Sequence, residues 1–137
     1  MNLTLSDHEA ILALVGDIGS QVEGLDQTAR ELPGLLRNAK LATVREEGDA
    51  LSELSEALRL AVKLRRPASE LLQSGKELAT RLHKLHMLVS TARASGTAKG
   101  AVALAWKQST ALVANLQRWA DIEGALLAEP EELVRLS

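Results

Sequence analysis

Seven apolar or small residues, Leu71, Gly75, Leu78, Leu82, Leu85, Val89 and Ala92, follow one another at alternating steps of four and three. At 3.6 residues per turn that spacing puts all seven on one side of an α-helix, the pattern of helices that pack along their length. Three more segments repeat it. The first holds Ile11, Val15, Ile18, Val22, Leu25, Ala29 and Leu32. The second holds Leu41, Val44, Gly48, Leu51, Ser55, Leu58 and Val62. The last holds Val102, Ala105, Ser109, Leu112, Leu116 and Trp119, then Ile122 and Leu126.

The breaks between stripes set the expected boundaries. Ser6 and Glu9 have the spacing of a capping box, so the first helix is expected over about 6–32. Leu32-Pro33-Gly34 ends it, because proline disfavours the helical conformation at the residue before it and can itself open a new helix. The second helix is expected over about 34–65. Its register is unbroken, although Gly48-Asp49 offers an alternative break. Arg65-Arg66-Pro67 closes it, and a third helix follows over about 69–94 with Ser69 as its cap. The fourth, about 97–128, stops at Glu129-Pro130-Glu131. Four amphipathic helices of matched length and short turns predict a single all-α domain over 1–137, an antiparallel up-down-up-down four-helix bundle.

Composition agrees and narrows the chemistry. Trp106 and Trp119 are the only aromatic residues apart from histidine, with no Phe or Tyr. A core of Leu, Val, Ile and Ala suits helices better than a sheet. The stacking platforms used for single-stranded bases are missing. Without cysteine the chain has no disulfide, thiol nucleophile or thiolate metal site. No apolar run approaches the ~18 residues of a membrane span, and no basic segment leads into an apolar one at the start. The expectation is a soluble, cytoplasmic protein without a signal peptide.

The net charge of −2 hides a segregation. Residues 1–58 carry 4 Lys/Arg against 11 Asp/Glu, residues 59–107 carry 10 against 2, and residues 108–137 carry 2 against 5. A basic middle between acidic ends is either a partner-binding face or a set of charges that neighbouring helices neutralise.

The chemically suggestive residues lie in the third stripe. His83 and His86 sit three apart, on one flank of the helix, with no third ligand nearby, so no metal or other cofactor is expected. Arg81-Leu82-His83-Lys84-Leu85-His86 has the spacing R-x4-H and resembles the motif of the HEPN family of helical toxin-system ribonucleases. The resemblance implies Arg81 on the scissile phosphate and His86 as acid or base. The chain departs from that family in having Leu82 where a polar residue is usual and Met87 where an aromatic is common. Histidine-phosphotransfer bundles are similar in size, but neither His83 nor His86 is followed by their lysine–glycine pattern.

Helical surface is plentiful in this sequence and catalytic groups are scarce. The leading expectation is a non-enzymatic interaction module that binds a protein partner or a second copy of itself. Its binding residues are expected to be Arg65, Arg66, Arg81 and Lys84, with Trp106 as an anchor. The first alternative is the HEPN-like ribonuclease using Arg81 and His86. The second is electrostatic nucleic-acid binding by the basic middle. Without a short helix-turn-helix, sequence-specific DNA reading is not expected.

Overall fold

The computed structural model describes the backbone over residues 5–91 and 96–136 and the side chains over 9–91 and 96–124. Among these residues the regular structure is four helices: α1 (Leu5–Leu35), α2 (Ala42–Lys63), α3 (Ala68–Thr91) and α4 (Gly96–Leu136). Each packs against its sequence neighbours, and α1 also packs against α4. The diagonal pairs are not in contact among the described residues, so the helices stand at the corners of a square. Cross-helix pairs run in opposite order on three sides, Gln21 meeting Asn115 and Gly24 meeting Gln108 between α1 and α4, and the fourth side follows from these. Asp26 meets Ser55 while Leu36 meets Gly48, and Gly75 meets Leu116 while Ala68 meets Glu123. All neighbours are therefore antiparallel, the expected up-down-up-down bundle.

The stripes form the core. Ile18, Leu25 and Leu32 of α1, Val44 and Leu51 of α2, Leu82 and Leu85 of α3, and Ala105, Leu112 and Leu116 of α4 are completely shielded from solvent. Two stripe glycines permit close approach. A Cβ on Gly48 would lie 2.8 Å from the Leu36 side chain, and one on Gly75 would lie 2.9 Å from that of Leu116. Glycine at 48 thus seats the end of α1 on α2, and α2 runs through it without a break.

The start of α2 differs from the expectation, while its end falls within two residues of it. α1 does not stop at Pro33; it continues to Leu35. Proline removes one donor, but Leu36 N–H still reaches the Leu32 carbonyl at 2.9 Å and the Leu36 side chain fills the next stripe position. The turn falls at 36–41, held where Arg45 donates to the Ala39 carbonyl at 3.0 Å, and α2 begins at Ala42, not 34. At its other end α2 closes in a Schellman arrangement: Arg66 N–H bonds the Ala61 carbonyl and Arg65 N–H that of Val62. Arg65 takes φ 55°, a left-handed conformation that glycine adopts at less cost.

α3 begins at Ala68, and Ser69 lies inside it. Its cap comes from α4, where the Glu123 carboxylate accepts from Ala68 N–H at 3.3 Å. A carboxylate there also opposes the positive end of the helix dipole. α4 passes through Pro130 to Leu136 instead of stopping at 129. Ser6, half of the proposed capping box, is inside α1 and outside the described side chains.

The four lengths, 31, 22, 24 and 41 residues, are therefore not matched. Near the end of α2, Arg59 lies against Glu23, and Lys63 lines a groove with Gly19. Glu123 sits at the first residue of α3. Beyond these points α1 and α4 each project roughly 20 Å as helix, on the same side of the molecule.

Candidate functional site

Three polar or aromatic clusters interrupt the aliphatic pattern, and each joins a different pair of helices. Between α1 and α2 lies Asp26, 3% exposed. Its Oδ1 accepts from Ser55 Oγ at 3.1 Å, and its Oδ2 stands 2.9 Å from Arg30 Nε and 3.2 Å from Arg59 Nε. The Arg59 N–H is not aimed at that oxygen and makes no hydrogen bond, so the contact is a pure ion pair. Arg59 also reaches Glu23 at 3.8 Å. The cluster fixes the register of α1 on α2. Nothing in the sequence pattern announces it except that Asp26 sits one step from the stripe residue Leu25.

Between α2 and α3, Arg81 forks onto Glu47, with Nε to Oε1 at 2.7 Å and Nη2 to Oε2 at 3.0 Å. That hydrogen bond, helped by the charges of Glu47 and Glu77 and opposed by burial, raises the Arg81 pKa above its ordinary value. A bidentate, partly shielded pair of this kind stabilises by about 1 kcal/mol. A double-mutant cycle on Arg81→Ala and Glu47→Ala should return that coupling by urea denaturation, shrinking in high salt, whereas Lys84→Ala should change stability by less than about 0.5 kcal/mol.

Between α3 and α4, the Trp106 indole faces two imidazoles. The His86 ring stacks on it at 5.3 Å with 20° between the planes, and the His83 ring is tilted by 41° at 4.9 Å. His86 Nδ1 is buried without a hydrogen-bond partner. His86 and Trp106 are half-buried and His83 is exposed.

The residues singled out from sequence are thus placed as follows. Arg81 is directed to α2 and His86 to α4, so the two members of the R-x4-H spacing do not converge on a common point. Lys84 is exposed beside Glu46 in the α2–α3 groove. Arg66 pairs with Glu70 at 3.2 Å at the α2–α3 turn, and Arg65 is exposed next to it. Trp106 is engaged by the histidines. Among the described residues no three His, Asp or Glu side chains are grouped to hold a metal ion, and no helix is long and apolar enough to cross a membrane.

A further feature lies where α1 and α4 outrun their partners. Ile11 and Val15 occupy the same stripe positions as Ile18 and Val22, yet only the latter pair is buried. Trp119 continues the line of Ala105 and Leu112 and was expected in the core, yet it too is half-buried. Leu14, between Ile11 and Val15, remains buried, so the cover of the stripe becomes partial beyond the end of α2 and does not stop at once. Leu12, on the flank that faces α2 lower down, is 72% exposed. Beside it Gly16 and Gly19 leave the helix surface bare, over a groove of about 620 Å³ that reaches Val62 and Lys63. We call this surface the ledge.

Compared with protein-family models, curated proteins and solved structures, the chain shows no match to any of them.

Proposed function

We propose that this protein is a non-enzymatic interaction module whose binding surface is the ledge, and that the bundle beneath it serves as a rigid support. The observation that carries the reading is the uneven cover of α1 beyond the end of α2: Leu14 and Ile18 stay buried, Ile11 and Val15 are only half-buried, and Leu12 beside them is open to solvent. Apolar side chains held on a helix in such a line gain by being covered, at roughly 25 cal/mol for each Å² removed from water. Lys63 lines the groove, and Arg65 and Arg66 follow it at the exposed α2–α3 turn, which gives the surface a cationic rim. In this reading Arg65 and Arg66 keep the binding role expected from sequence, while Arg81 and Trp106 act within the bundle. The module would work as an adaptor, a chaperone or a regulatory subunit.

Affinity capture with the full chain as bait tests this. The double variant Leu12→Asp, Val15→Asp should lose the proteins captured by the wild type, and Lys84→Glu should keep them. An unchanged set of captured proteins with the double variant would contradict the reading.

A further inference from the structure

We infer that the occupant of the ledge is a second copy of this chain, joined by a two-fold axis perpendicular to the bundle. The inference rests on the reading of the ledge as the binding surface. What the ledge lacks is two antiparallel helices of roughly 20 Å bearing an apolar stripe, lying where α2 and α3 would have continued. The projecting parts of α1 and α4 are themselves two antiparallel helices of that length, and on α1 Ile11, Leu12 and Val15 lie there incompletely covered. A two-fold rotation lays one copy's pair on the other's. α1 then meets α1 and α4 meets α4, each antiparallel, and four helices run without interruption through the centre of the dimer.

Charge favours this occupant. In the dimer the outer part of one copy's α1, with the exposed Glu9, arrives at the other's α2–α3 turn, with Lys63, Arg65 and Arg66. The acidic start and the basic middle of the sequence thus become complementary across the interface. Arg65 holds a left-handed conformation that would suit glycine, and it places a cation at this turn. Two helices about 10 Å apart and roughly 20 Å long give a footprint on the order of 400 Å² per copy before side-chain relief. The total of about 800 Å² is below the ~1,200 Å² at which stable specific interfaces begin, so the dimer is a weak, reversible and concentration-dependent one.

A two-fold axis brings residues near it against their own counterparts. Leu12 lies near the middle of the projecting stretch of α1, so it should approach the partner's Leu12. The chain has no cysteine, so each engineered variant carries a single thiol. Leu12→Cys and Val15→Cys, treated with a short bismaleimide, should give covalent dimer roughly tenfold or more faster than Leu104→Cys, a half-exposed position on the fully covered part of α4. Leu12 is exposed, so its replacement leaves the fold intact, and an unchanged helical circular dichroism signal verifies that. If both ledge thiols crosslink no faster than Leu104→Cys, the second copy is excluded as the occupant. Ledge-dependent capture of other proteins would then leave the interaction reading standing. Capture that ignores the ledge variants would overturn that reading itself.

Discussion

Leu82→Ala is expected to lower the unfolding free energy by about 3 kcal/mol, within the range of about 2–5 for buried leucines. Leu82 has no exposed surface and lies midway along α3, the helix that packs against both α2 and α4. Removing its isobutyl group leaves a void that straight helices cannot close, because neighbours such as Leu78 and Leu85 already fill their own positions. For a chain of this size the loss lowers the melting temperature by about 10 °C. Met87→Ala, five residues on and 55% exposed, should change stability by less than about 0.5 kcal/mol. Thermal and urea denaturation of the two variants side by side check the assignment of the stripe. Equal effects would mean that the helix faces the other way.

Asp26→Ala is expected to lower stability by about 2 kcal/mol at neutral pH. The carboxylate is buried between α1 and α2 and holds Arg30, Arg59 and Ser55 together. Alanine leaves the Arg59 guanidinium, only 17% exposed, with Glu23 alone at 3.8 Å. The cost stays below the ~3–5 kcal/mol of a fully buried pair because Arg30 is half open to water and can be solvated there. Ser55→Ala should be milder, since the single Ser55 hydroxyl proton is shared between Asp26 Oδ1 at 3.1 Å and the Ser52 carbonyl at 2.9 Å and gives the carboxylate only part of a hydrogen bond. A urea midpoint for Asp26→Ala that matches the wild type would show that the cluster contributes nothing net.

How far the sequence carried these conclusions depends on the range of the interaction. The stripes are local and repeat every turn, so helix number, antiparallel order and core membership at Leu71, Leu78 and Leu85 could be read directly. Helix ends were harder, because they depend on what lies across the bundle. Pro33 reads as a stop, but Leu36 finds a seat over Gly48, and α1 extends to take it. Ser69 reads as a cap, yet the cap is Glu123, 55 residues away. The same holds for the sites. That Arg81 pairs with Glu47 was implicit in the segregation of charge, though the partner residue was not. The His83–Trp106–His86 cluster joins residues twenty and more apart whose flanks can be computed but whose contact needs the helix register. The ledge was invisible for a different reason. It arises from unequal helix lengths, and those follow from boundaries that proline content misplaced at both 33 and 130.

Sedimentation equilibrium of the full chain at low micromolar and at hundreds of micromolar concentration addresses the ledge most directly. A rise from the monomer mass of 14.7 kDa toward twice that value in the wild type, absent in Leu12→Asp under the same conditions, is the predicted result. A wild-type chain that stays at 14.7 kDa throughout, or a Leu12→Asp variant that dimerises equally well, would contradict it.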